Sequence, residues 1–184
     1  MNYNEEFWNK YSDENEARYN EEFSKFVRDL ATSLRCTSIL EIGCGTGIDL
    51  RLFSDTFQVH GVDLNDNALS IAKEKQPIAD FKKGSITELT FDDNSIDFVF
   101  THGLMNYLDD NTLEKGIAEM FRVAGKYIMN CEKFEENEKQ IDENQKFRNM
   151  KKRWLEYNVK FISNVDMHED IEPEKSRFTL LKKL

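Results

Sequence analysis

The sequence predicts an α/β fold: one open sheet of seven strands, mostly parallel, with helices on both faces. Three observations carry this. Residues 39–49, Ile-Leu-Glu-Ile-Gly-Cys-Gly-Thr-Gly-Ile-Asp, run from an apolar stretch into three glycines at alternate positions, Gly43, Gly45 and Gly47. Such a stretch reads as a buried strand entering a turn. A second apolar run, Val59-His60-Gly61-Val62-Asp63-Leu64, ends in a carboxylate. Beyond it, strand-length apolar runs alternate with segments at helical spacing, the order expected of βα units.

At 184 residues the chain fits a single domain, 1–184, with a full-sized core. We divide it into an N-terminal helical lid or cover over 1–35 and a Rossmann-like core over 36–184. Net charge is −10, which argues against nucleic acid as a partner, because neutralising phosphates takes clustered Lys and Arg. Three widely spaced cysteines, Cys36, Cys44 and Cys131, fit a reducing cytoplasm and no disulfide frame. No metal site is expected, since no C-x-x-C or H-x-x-x-H spacing occurs. No apolar run reaches the length of a membrane span, and the acidic start lacks the order of a signal peptide. The expected location is therefore cytoplasmic; the oligomeric state is left open.

In chain order, Phe7, Trp8 and Tyr11 place an aromatic stripe on a first helix. Phe23, Phe26, Val27, Leu30 and Leu34 mark a second helix that covers the sheet. After the glycines, Ile48, Leu50, Leu52 and Phe53 suggest a helix whose first N–H groups face the turn. Residues 59–63 are the second strand. Asn65 caps a helix that Pro77 ends. Residues 79–83 are the third strand and 96–100 the fourth. A helix capped near Asp109 carries Leu113, Ile117, Met120 and Phe121, and Gly125 is expected to stop it. Residues 126–131 are the fifth strand. The charged run 132–145 reads as a solvated loop or helix face, or a flap over the substrate. Phe147, Met150, Trp154, Leu155 and Tyr157 fit a helix. Residues 159–162 and 178–181 are two closing strands.

The chemistry concentrates at the glycine turn. Glycine permits positive φ and lets a ligand approach without meeting a Cβ. A carboxylate roughly 20 residues after the first glycine lies at the tip of the neighbouring strand, where it can accept both hydroxyls of a ribose. Asp63 stands there, so the pair reads as an adenosine site. The dinucleotide fingerprint has its third glycine one residue later, where this chain has Ile48. Glu41, two residues before Gly43, suits a positively charged ligand better than a pyrophosphate.

Glu-x-Gly-x-Gly-x-Gly followed by Gly-Val-Asp resembles the cofactor site of class I S-adenosylmethionine-dependent methyltransferases. The resemblance covers the chain from about residue 36 onward, and the two closing strands resemble that family's terminal antiparallel hairpin. It implies that Gly43, Cys44, Gly45 and Gly47 pack against S-adenosylmethionine. It implies that Asp63, with Leu64 beside it, holds the ribose, and that Glu41 orients the methionine end. Gly84-Ser85-Ile86 stands where the family usually has Gly-Asp-Ala, so Ser85 would meet the adenine amino group without a charge, and Ile86 the adenine face. The Thr101 backbone and hydroxyl would bind the methionine amino group.

His102 is the histidine expected to face that crevice, and it is the candidate catalytic base. His60 and His168 read as structural. Many relatives carry a second histidine where Tyr107 stands here, which weakens the case for a fixed base. Trp8, Tyr11, Met105 and Tyr107 are the candidate substrate or lid residues. The reaction implied is methyl transfer to a small molecule, with S-adenosylhomocysteine as product. It asks for positioning more than for a nucleophile or metal.

A narrower resemblance lies in Phe-Trp-x-x-Tyr near the start, Thr-x-Gly-Leu-Met at 101–105 and Lys-Tyr-Ile at 126–128. These look like the methylases encoded beside pseudaminic-acid biosynthesis genes and imply a nonulosonic-acid or related sugar as acceptor. Alternatives are a small-metabolite methyltransferase of another substrate class, a nicotinamide-dependent oxidoreductase, and a non-catalytic partner that keeps the cofactor site.

Overall fold

The computed structural model describes residues 5–14, 17 and 19–184. Part of the expected N-terminal cover, residues 1–4, 15, 16 and 18, lies outside the described residues.

Seven strands form one sheet: β1 (Ser38–Ile42), β2 (Gln58–Asp63), β3 (Asp80–Lys83), β4 (Ile96–His102), β5 (Ala124–Glu132), β8 (Val159–Asp166) and β9 (Arg177–Lys183). A separate two-stranded ribbon pairs β6 (Lys139–Gln140) with β7 (Lys146–Phe147). The sheet order is β3-β2-β1-β4-β5-β9-β8. The first five strands are parallel, and β9 runs antiparallel between β5 and β8. The seven-stranded, mostly parallel expectation and its closing hairpin both hold.

Strand alternation divides the core into two layers. Ile39, Phe98, Phe100, Met129 and Leu180 pack with Phe23, Val27 and Ala31 of α2 (Glu21–Ser33) on one face. Leu40, Ile42, Val99, Ile128 and Leu181 pack with Leu113, Ile117 and Met120 of α4 (Asp110–Val123) on the other. Helix starts follow their caps: Asn20 accepts from the N–H groups of Glu22 and Phe23, and Asn65 from that of Ala68 at the start of α3 (Asp66–Lys75). Asp109 accepts from Thr112. The N-terminal helix α1 is Glu5–Glu14.

Four local expectations are corrected. The segment after the glycines is one 3-10 turn, Ile48–Leu50, not an α-helix. Its carbonyls are taken instead by the buried Gln76 amide, which donates to Leu50, Arg51 and Phe53 at 2.9, 3.1 and 3.1 Å. Gly125 is not a helix stop; it lies inside β5, where a Cβ would come within 2.7 Å of the Asn94 carbonyl oxygen. The region around Trp154 is a single turn, α5 (Met150–Arg153), followed by a 3-10 turn Trp154–Glu156. The charged run 132–145 begins as the end of β5 and continues into the β6–β7 ribbon. That ribbon is tied down by buried Arg148, which bonds Glu138, Asp110 and the Leu108 carbonyl, while Arg153 bonds Glu138 at 2.6 Å.

Gly61 shows how tightly β2 packs. A Cβ there would meet the Phe81 ring at 2.5 Å and Cys44 Sγ at 2.8 Å. Gly61→Ala should therefore cost about 1–3 kcal/mol by overpacking. Urea unfolding with the midpoint unchanged from the parent would contradict this.

Candidate functional site

The chain lays β1, β2 and β3 in one direction and β4 and β5 in the other, so progression across the sheet reverses between β1 and β4. In such sheets the crevice at the carboxyl ends beside this reversal is the ligand site. A cavity of about 1070 Å³ opens there, lined by Glu41, Gly43, Cys44, Gly45, Asp63 and His102 among others.

Gly43 and Gly45 have φ of +74° and +51°, a backbone form costly for other residues. They turn the chain under the cavity without side chains. Asp63 closes the far side of the turn: it accepts from Gly45 N and Asn65 N, both at 2.8 Å. Burial raises the Asp63 pKa, and these N–H groups partly offset that rise. Glu41 is buried, and its Oε2 finds no donor among the described residues. Burial first, then the neighbouring Asp49 charge, drives the Glu41 pKa well above the ordinary carboxylate range. A buried carboxyl beside bare glycine backbone, with a second carboxylate on the next strand tip, fits the sulfonium, ammonium and ribose groups of S-adenosylmethionine.

Of the expected cofactor contacts, Glu41, Gly43, Cys44, Gly45, Asp63, Leu64 and Ile86 line the cavity. Gly47, Ser85 and Thr101 do not. A Cβ on Gly47 would meet Phe81 Cζ at 2.7 Å and Ala72 Cβ at 3.3 Å, so this glycine serves close packing against α3 and β3. The Ser85 hydroxyl pairs with the Thr87 hydroxyl at 2.9 Å and accepts from Thr87 N.

Thr101 is fully buried and on the α4 face, because alternation along β4 puts it opposite His102. There it belongs to a closed chain of bonds. Trp154 Nε1 donates to Asn130 Oδ1 at 2.7 Å, Asn130 Nδ2 to Thr101 Oγ1 at 2.8 Å, and Thr101 Oγ1 to Glu132 Oε1 at 2.8 Å. Glu132 also accepts from the N–H groups of Leu104 and Met105 at 3.3 and 3.1 Å. The chain thereby anchors the loop that walls the cavity.

Trp8, Tyr11 and Tyr107 line the mouth. Trp8 meets Tyr107 edge-on at 5.5 Å and Tyr11 at 5.6 Å. Met105 is instead buried in the α4-side core and reaches no ligand space. His102 lines the cavity, with Nδ1 2.7 Å from Asp49 Oδ2 and Phe23 stacked on its ring at 3.9 Å. Burial pulls its pKa down, but the Asp49 charge and hydrogen bond, with Glu172 and Glu132, leave it raised. Sequence reasoning missed Asp49, Asn106, Phe147 and Glu172 as cavity residues. Asp49 did carry a signal, a charge inside the apolar run Ile48-Asp49-Leu50.

Residues 39–126 match the family described as a methyltransferase domain. The phosphatidylethanolamine N-methyltransferase of Cereibacter sphaeroides is 32% identical over 94 residues, 48% of this chain and 45% of that one. Phosphoethanolamine N-methyltransferase 2 of Caenorhabditis elegans is 34% identical over 100 residues, 50% of this chain and 23% of that one. The matches thus span less than half the length of these relatives. Among solved structures, Haemonchus contortus phosphoethanolamine N-methyltransferase 1, with phosphoethanolamine and S-adenosylhomocysteine, aligns with a TM-score of 0.72 at 20% identity, over 97% of this chain and 47% of that one. Synechocystis magnesium protoporphyrin IX methyltransferase with bound S-adenosylhomocysteine aligns at 0.68 and 11%, over 89% and 84%.

Burial raises the Glu132 pKa to about 7, against hydrogen bonds that lower it. Between the unfolded value of 4.5 and that value, the folded chain holds a proton the unfolded chain has lost. Stability should therefore fall as pH rises through this window, by on the order of 3 kcal/mol from this group. Urea stability measured on both sides of the window should show the drop, and Glu132→Gln should flatten it. A variant with the parent's full slope would remove Glu132 as the cause. Residues 39–126, slightly under half of the chain, thus match a methyltransferase domain, and the solved methyltransferases share the fold.

Proposed function

We propose that this chain transfers a methyl group from S-adenosylmethionine to a small-molecule acceptor. The observation that carries the reading is the bare Gly43–Gly45 turn flanked by the Glu41 and Asp63 carboxyls on one cavity. When bound, the cofactor supplies a methyl group already activated on a sulfonium. Asp63 would hold the ribose hydroxyls with its remaining lone pairs, the Ile86 side chain would pack on the adenine, and Glu41 would face the charged methionine end. Trp8, Tyr11 and Tyr107 would close the mouth and exclude water, and aromatic faces there favour a cation. His102 would receive the proton that an acceptor hydroxyl or amine gives up.

Two acceptor classes have support. The resemblance at Phe7-Trp8, residues 101–105 and 126–128 favours a nonulosonic-acid or related sugar. A compound with a basic nitrogen is favoured by the cavity, where Glu5 and Glu172 accompany the mouth aromatics. Lys133 and Lys83, the lysines on the cavity wall, are paired with Glu174 at 2.7 Å and Asp66 at 2.5 Å.

Calorimetric titration with S-adenosylhomocysteine should give saturable one-site binding. Asp63→Ala should weaken it by about 1–3 kcal/mol through lost charge-assisted bonds. Unchanged affinity would show that the ribose does not lie on Asp63. A panel of sugar acids and amino alcohols should then yield S-adenosylhomocysteine with one class, and His102→Ala should slow that turnover about a hundredfold. Release with neither class would reject both acceptor assignments, and a His102→Ala rate within threefold of the parent would reject the base.

A further inference from the structure

Asp49 and His102 stand 53 residues apart in the chain and meet at 2.7 Å. Three features make this a built contact. Asp49 is held almost out of solvent, at 4% exposure, in the turn that follows the glycines. That turn is fixed from outside by Ser24 of α2, whose hydroxyl donates to the Ile48 carbonyl at 2.9 Å. Phe23, one residue earlier on the same helix, stacks on the imidazole at 3.9 Å with 25° between planes. The ring is thus clamped on one face by an aromatic and at one nitrogen by a carboxylate. Among the described residues no partner meets Nε2, and His102 lies on the cavity wall.

We propose that Asp49 is a positioning residue for His102, fixing the ring with Nδ1–H toward Asp49 and Nε2 toward the cavity, so that the pair forms the proton-accepting unit of the site. The proposal rests on the methyl-transfer reading and deepens it. A neutral imidazole has one N–H and one bare nitrogen, and the hydrogen bond at one nitrogen decides which the other is. With Asp49 accepting at Nδ1, the bare lone pair is Nε2. The step balances simply. The acceptor's O–H or N–H bond breaks and its proton goes to Nε2. The freed electron pair forms the bond to the methyl carbon. The carbon–sulfur bond breaks, and its pair stays on sulfur as a neutral thioether. No further reactant is needed.

The surroundings set the pH at which the pair works. The groups facing His102 are Asp49 in the turn, Glu41 behind it in β1, Glu132 and Cys131 in β5, and Glu172 in the β8–β9 loop, while α2 contributes only the uncharged Phe23 face. Burial raises the pKa of the Cys131 thiol, and burial with the Asp49 charge raises that of Glu41. Against burial, the Asp49 contact, with Glu172 and Glu132, favours imidazolium. Proton acceptance needs the neutral ring, so turnover should rise with pH through a value above the ordinary histidine range and level off beyond it.

The chain has three histidines, so nitrogen NMR of the histidine-labelled protein resolves them, with His102→Gln identifying the signal. The parent should titrate above the ordinary value of about 6.5, and its neutral ring should carry the proton on Nδ1. Asp49→Asn should lower that midpoint by about one pH unit or more. With an acceptor in hand, the acid limb of its rate profile should move down by the same amount. A neutral parent ring protonated on Nε2, or an Asp49→Asn midpoint within about 0.3 units of the parent, overturns the proposal. The tautomer is read on the parent alone, so a poorly folding variant does not remove the test. Titrating the same parent sample with S-adenosylhomocysteine tests the methyl-transfer reading separately, since the tautomer measurement requires no turnover.

Discussion

Buried carboxyl groups at the carboxyl end of the sheet are the constraint to which the rest of this structure answers. Glu41, Asp49 and Glu132 are buried there with Asp63 half-buried beside them, and an isolated charge removed from water is costly. Each is met differently. Asp63 is held by backbone N–H groups of the very turn and helix start it joins. Glu132 takes a hydroxyl and two N–H groups of the cavity loop. Asp49 is paired with an imidazole. Glu41 has another carboxyl beside it, and burial with that neighbour's charge raises its pKa. The three satisfied groups thereby fix the cavity walls, and the fourth stays responsive to a positively charged ligand.

Fold class was legible because long-range order in a parallel sheet leaves a local signature. Strand runs such as 39–42 and 96–100 are apolar on both faces, since helices cover both sides. The glycine turn and Asp63 were legible because their spacing is set by one βαβ unit. What the pattern did not reveal depends on contacts between distant segments. The 3-10 turn at Ile48–Leu50 owes its shape to Gln76, 26 residues further on. Gly47 faces Phe81 rather than the ligand, which only the β3 packing decides. Thr101 is a different kind of miss: the period of two along β4 already puts it on the face opposite His102, and counting from Phe98 and Phe100 would have shown it.

The N-terminal helix illustrates how the mouth of the cavity is held. Only Ser12 of α1 is buried. Polar links join the helix to the start of α3, Asn65 Nδ2 donating to Asn9 Oδ1 at 2.8 Å and Asn67 Nδ2 to Asp13 Oδ1 at 2.9 Å. The Trp8–Tyr107 edge contact joins it to the loop after β4. Elements attached in this way, with little buried apolar surface, belong to the low-stability end of a fold. α2 is the opposite case, with Phe23, Val27 and Ala31 fully buried. Separating α1 from the body would expose little of the core, whereas displacing α2 would release both the sheet face and the ring on His102. The two helices thus differ in burial: α1 borders the cavity with one buried residue, while α2 is packed into the core and carries the Phe23 ring that stacks on His102.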